Sequence, residues 1–116
     1  MSGTLSYHAG LTAEDAVAAA YTRRGLRLVA RRWRGQGGEI DLVFADIAAA
    51  TVFVEVKYAR TLSQAAGRVS LRQAARITAA AAEYLDGHGG QNQSARIDVA
   101  LVDAAGRVEI IENALM

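Results

Sequence analysis

The sequence predicts an α/β domain in which helices flank a mixed central sheet. Three observations carry this. Two Val-, Ile- and Phe-rich runs, 39–45 and 51–57, lie five residues apart and read as paired strands. An apolar repeat with helical spacing follows over 68–86, and two further strand patterns, 96–102 and 107–111, come after it. Strands grouped ahead of a crossover helix give a mixed sheet, in the order α-β-β-β-α-β-β.

The chain has 116 residues, enough for one domain with a core of its own, and no repeat or internal boundary divides 10–116. Hydrophobic residues make up 52% and charged residues 22%, a globular composition. With no cysteine there are no disulfides and no thiolate metal sites. No signal peptide or membrane span is visible, so a cytoplasmic protein with no membrane partner is the expectation. Net charge is only +1, but twelve of the thirteen basic residues are Arg and the single lysine is Lys57. Lysine offers a compact, mobile point charge that arginine does not.

The elements follow in order. Residues 1–9, rich in Ser, Gly and Thr, read as a flexible terminus. Thr12 with Asp15 resembles a capping box, and Leu11, Val17, Ala20 and Tyr21 continue a helix that Gly25 ends. Leu26, Leu28 and Ala30 alternate with Arg27, Val29 and Arg31 as a first strand. Gly35 to Gly38 turns the chain into strand 39–45, and Asp46 to Ala50 leads into strand 51–57. Val69, Ala75, Ile77, Ala80, Ala81, Tyr84 and Leu85 mark the second long helix. Gly87 to Asn92 is a loop, and Asp103 to Gly106 a hairpin-like turn between the last strands. His8 and His88 fall in terminal or glycine-rich segments and receive no role.

Charged residues in the middle of apolar strands need a reason. In a strand, residues two apart share a face, so Glu39 projects with Asp41 and Glu55 with Lys57, while Ile40, Leu42 and Phe44 project oppositely. A hairpin centred on Ala48 sets Leu42 opposite Val54, Asp41 opposite Glu55, and Glu39 opposite Lys57. Side chains so opposed have Cβ atoms ~4.5–5.5 Å apart, and like charges there repel. Two crowded carboxylates share a proton, recruit a protein cation or bind a metal. Oxygen ligands with places left for water suit Mg²⁺ or Mn²⁺. A divalent ion beside a lysine suits phosphodiester hydrolysis. The ordinary alternative is a cross-strand ion-pair ladder on a solvated face.

Asp41, followed by Glu55-Val56-Lys57 with hydrophobic residues ahead of each, resembles the D…(D/E)-x-K site of the restriction-endonuclease-like nuclease superfamily. The α-β-β-β-α-β order is similar to that superfamily's core. From Ala9 to Leu115 the chain more closely resembles the YraN family of small bacterial proteins, distantly similar to archaeal Holliday junction resolvases. The most specific stretches are Gly38-Glu39-Ile40-Asp41-Leu42 and Val52-Phe53-Val54-Glu55-Val56-Lys57. The resemblance implies that Asp41 and Glu55 are metal ligands, with the carbonyl of Val56 and the carboxylate of Glu14 as further ligands. It makes Lys57 the catalytic lysine, and Glu39 a supporting member of the signature. The chain departs from the pattern at Ala13, where Gly is frequent, and at Ile40, where the superfamily has proline. It also departs at Gln64-Ala65-Ala66-Gly67 and at Gln73, where relatives often carry Lys.

Arg68, Arg72 and Arg76 recur every four residues and read as one helical stripe, with Arg60 just beyond Lys57. With Gln73 they are the expected nucleic-acid contacts, neutralising phosphates near the metal. The alternative is a solvated arginine face. Arg31, Arg32 and Arg34 form a second basic cluster. Neither a stacking platform nor a zinc-finger or helix-turn-helix spacing is present, which disfavours sequence-specific readout. The expected activity is Mg²⁺- or Mn²⁺-dependent hydrolysis of DNA, with branched or junction DNA as a substrate, and the rival is a nucleic-acid-binding module that does not cut. Symmetric cleavage of a junction calls for two sites, hence a homodimer.

Overall fold

The computed structural model describes residues 3–88 and 94–115, with the side chains of the first helix described from Thr12 onward. The elements are α1 (Gly3–Arg23), β1 (Arg27–Arg34), β2 (Glu39–Ala45), β3 (Thr51–Tyr58), α2 (Leu62–Ala66), α3 (Leu71–Gly87), β4 (Ala95–Val102) and β5 (Val108–Ile111). One five-stranded sheet runs β1-β2-β3-β4-β5. All neighbours are antiparallel except β3 and β4, which pair in parallel across the α2–α3 crossover. This is the expected mixed α/β architecture.

Both faces of the sheet are covered. On one, Val17 and Tyr21 of α1 pack on Leu42, Phe44, Val52, Val54 and Val102, with Tyr21 stacked 4.5 Å from Phe44. On the other, Ile77, Ala80 and Tyr84 of α3 pack on Val43, Phe53 and Ile97. Ala65 of α2 completes that layer against Val99 and Leu101. The period-2 alternation of β2 and β3 thus sorts side chains between two helical layers. Ile40 is the exception to the expected pattern: it joins the α3 layer rather than that of Leu42 and Phe44.

Three expectations about helices are corrected. α1 begins at Gly3, so Thr12 lies inside the helix rather than at its cap, and Glu14 is not in a first turn. Between Gly3 and Thr12 the poorest helix former in the interior is Gly10, at a cost of about 1 kcal/mol. Second, the long helix begins at Leu71 rather than at about Arg68, and a short separate helix, α2, precedes it. α2 stops at a Gly67 cap, and α3 starts afresh with Ser70 accepting the Gln73 N–H at 3.1 Å, which leaves Arg68 in the connection. Third, α3 extends to Gly87, with His88 as its C-cap; Gly89 to Asn92 of the expected loop lie outside the described residues. The end of α1 is as expected: Gly25 follows it at φ +90°, its N–H donating to the Thr22 carbonyl.

Candidate metal centre

The site is built where one ladder stops. β2 and β3 pair in the expected register, from Leu42 with Val54 to Ala45 with Thr51, and no further. At the next step Asp41 inserts its side chain: Oδ2 accepts the Val56 N–H at 2.8 Å, in place of a backbone carbonyl. The carbonyl of Val56 leaves the strand on the same side as its N–H and so faces the same gap. β3 itself continues past this point, paired with β4 from Thr51 to Tyr58.

The expected pairing of Glu39 with Lys57 is not formed. β2 has left the ladder by that point, and Glu39 instead pairs across β1 with Arg34, 3.0 Å away. Lys57 turns to its own strand, with Nζ 3.4 Å from Glu55 Oε1 and both side chains largely shielded. The expected crowding of Asp41 and Glu55 does occur. Burial first, and the Glu55 carboxylate second, push the Asp41 carboxyl up to about 7, against the Val56 N–H and the Lys57 charge.

Glu14 reaches the neighbourhood from α1. It is 7% exposed, and burial followed by the Asp41 charge pushes its carboxyl above the usual range. Its oxygens are engaged by Arg32, with Nε 3.3 Å and a terminal nitrogen 3.1 Å away. Arg32 adopts φ +51° inside β1, a conformation rare for a side chain of this size. The sequence placed Arg32 in the second basic cluster, but nothing in it announced the pairing with Glu14. Among the described residues, no three Asp, Glu, His or Cys side chains converge as a metal group.

A cavity of about 250 Å³ opens over the two carboxylates, lined by Gly38, Glu39, Asp41, Glu55, Gln73 and Arg76. Gln73 Oε1 is buried and has no hydrogen-bond partner. A second hollow of about 400 Å³ adjoins it, between the Gly35–Gly38 turn, Arg34 and Arg76. That turn is tied to α3 by Glu83, whose carboxylate accepts the backbone N–H groups of Gln36 and Gly37. Of the expected nucleic-acid contacts, Gln73 and Arg76 reach the cavity. Arg72 is exposed one turn before Arg76, whereas Arg60 and Arg68 are exposed in connections outside α3. The helical stripe is therefore Arg72 and Arg76 alone. Trp33, Tyr84 and His88 form an aromatic cluster that the sequence did not suggest, with His88 stacked 4.0 Å from Tyr84.

The donors fit a hard divalent cation. Asp41 and Glu55 offer carboxylate oxygens pressed together in a half-buried site, the Val56 carbonyl faces the gap, and neither sulfur nor imidazole lines the cavity. Such a set suits Mg²⁺ or Mn²⁺.

No helix among the described residues is long and apolar enough to cross a membrane. The family profile "Uncharacterised protein family UPF0102" matches residues 13–102, which takes in Glu14, Asp41, Glu55 and Lys57. A UPF0102 protein of Cereibacter sphaeroides is 56% identical over 115 residues, covering 98% of this chain and 97% of its own length. One from Ruegeria pomeroyi is 51% identical over 113 residues, covering 97% and 91%, and one from Dinoroseobacter shibae 38% identical over 117, covering 98% and 85%. With the profile spanning most of the chain and relatives aligned nearly end to end, this chain belongs to the UPF0102 family.

Proposed function

We propose that this protein is a divalent-cation-dependent endonuclease acting on DNA phosphodiesters, on a core of the restriction-endonuclease-like kind. One observation carries the reading: Asp41 and Glu55 are held together at the end of a ladder, with Lys57 3.4 Å from Glu55 and a cavity above them. A cation held by those carboxylates would polarise a phosphate and lower the pKa of a bound water. The Lys57 amino group, beside Glu55, is suited to stabilising the charge that develops on a phosphate under attack. Arg76 at the cavity and Arg72 a turn away neutralise flanking phosphates. The hollow along the Gly35–Gly38 turn continues the cavity and offers the neighbouring backbone a path. Branched or junction DNA suits an interface of backbone contacts, and a homodimer would bring two such sites to one junction.

The test is incubation of wild type and Asp41→Asn with single-stranded, duplex, flap and four-way-junction DNA in Mg²⁺ or Mn²⁺. Cleavage by wild type alone is expected; no cleavage of any substrate would sink the enzymatic reading. One observation favours binding without cleavage: Glu14 is committed to Arg32, which leaves fewer carboxylates for a cation. On that reading, DNA affinity persists without metal and is unchanged in Asp41→Asn.

A further inference from the structure

Gln73 is placed for a role that its own helix does not use. Ser70 and Gln73 spell the Ser-x-x-Gln pattern of a capping box, in which each side chain serves the other residue's backbone N–H. Only the serine half forms, with Ser70 Oγ accepting the Gln73 N–H at 3.1 Å. The glutamine oxygen is closed off from solvent and accepts no hydrogen bond. Its side chain lines the cavity that contains Asp41 and Glu55. A buried acceptor without a donor destabilises a fold, and such groups are rare unless another state of the molecule supplies a partner.

The cavity restricts what that partner is. Ionised Asp41 and Glu55 carry acceptor oxygens only, and a proton taken up by Asp41 is held toward Glu55, so neither has a hydrogen to donate to the amide oxygen. Arg76 lines the same cavity, yet Oε1 remains without a bond from it. Four oxygen-bearing side chains line it, three of them acidic; with Glu39 paired to Arg34, Asp41, Glu55 and Gln73 are left, and they call for a positive occupant that takes lone pairs: a hard divalent cation with its waters. An amide adds an oxygen without a third negative charge, where the first two already repel.

We infer that Gln73 supplies the third side-chain oxygen of the divalent-cation centre formed with Asp41 and Glu55. This rests on the reading of that pair as a cation centre. It also accounts for the commitment of Glu14 to Arg32, because the third oxygen then comes from α3 rather than from α1.

Calorimetric titration of Mn²⁺ into wild type, Gln73→Met and Gln73→Glu, with thermal unfolding of each metal-free protein, tests it. Methionine keeps the length of the side chain and removes the oxygen. Its Mn²⁺ affinity falls on the order of ten-fold, while its melting temperature holds or rises because the orphaned acceptor is gone. Glutamate restores an oxygen and binds at least as tightly as wild type. Equal affinity of wild type and Gln73→Met overturns the inference while leaving the Asp41–Glu55 centre standing. A Gln73→Met protein that melts lower, together with a Gln73→Glu protein that does not bind, would assign Gln73 to the helix cap and overturn it too. If wild type binds no Mn²⁺, the cation-centre reading itself falls, and this inference falls with it.

Discussion

The Val56 N–H donates to the Asp41 carboxylate at 2.8 Å, one step beyond the last backbone pair between β2 and β3. A side chain thus stands in for a strand. The two strands part at Asp41 and Glu55, and both side chains line the cavity. The same bond helps keep a half-buried carboxylate in place beside a second one, which neither burial nor Coulomb forces favour.

This arrangement trades stability for a site. Replacing Asp41 with Asn keeps an oxygen for the Val56 N–H and removes one of two crowded charges. Metal-free Asp41→Asn is therefore expected to be more stable than wild type at pH 8, by about 1–2 kcal/mol, in the manner of strained functional sites. It should also bind Mn²⁺ far more weakly. Urea denaturation and calorimetry on the same samples check both, and a variant less stable than wild type would show that the charge is well accommodated.

Arg32 and Glu14 form a pair in which the two ends are unequally exposed, 40% for the arginine side chain and 9% for the glutamate. Removing the arginine strands the shielded charge. Arg32→Ala is expected to cost about 1–3 kcal/mol, below the scale for orphaning one member of a fully buried pair because solvent reaches the arginine. Glu14→Gln should cost less, since it leaves only a solvent-reachable arginine. Reversal of that order in equilibrium unfolding would show that Glu14, not Arg32, has the other partners that matter.

Glu83 and the glycine turn are coupled through space. A Cβ at Gly35 would come within 2.6 Å of Glu83 Oε2, and one at Gly37 within 2.9 Å of Oε1. The carboxylate cannot retreat without releasing the Gln36 and Gly37 N–H groups. Gly35→Ala and Glu83→Ala should each destabilise by about 1–3 kcal/mol, and the double variant by clearly less than their sum. Additivity in that double-mutant cycle would rule out the clash as the cause.

Much of this was legible in the sequence, for reasons that differ by element. The register of β2 and β3 follows from period-2 alternation and a short loop, whose Asp46 side chain accepts the Ala48 and Ala50 N–H groups. The pairing of Asp41 with Glu55 follows from that register. What could not be read is where a ladder ends, because a side chain replacing a backbone partner leaves no periodic trace. This is why Glu39 opposite Lys57 did not survive. The helix boundaries slipped for another reason: Ser70 and Gly67 are cap signals inside a run of helix formers, and the apolar pattern passes over them. Arg32 depends on a positive φ that the sequence does not reveal.

The buried hub at Asp98 gives a prediction with a defined pH window. Asp98 is fully shielded and accepts hydrogen bonds from the Tyr21 hydroxyl at 2.7 Å, from Arg96 Nε and from the Asn113 N–H. Burial first, then the bond to Asp98 and its charge, hold the Tyr21 hydroxyl well above its ordinary value of 10.0. Below that value Tyr21 is protonated in both folded and unfolded chains, and its contribution to stability is intact. Above it the unfolded chain releases the proton and the folded one keeps it, so stability falls as the pH climbs. Tyr21→Phe should be less stable than wild type at pH 7, by about 1–2 kcal/mol for a lost bond to a charged acceptor. The gap between the two proteins should then narrow from pH 10 upward, because only wild type has that proton to lose. Urea unfolding at pH 7 and at intervals to pH 11 measures it, and a gap independent of pH would mean that Tyr21 titrates alike in the folded and unfolded chains.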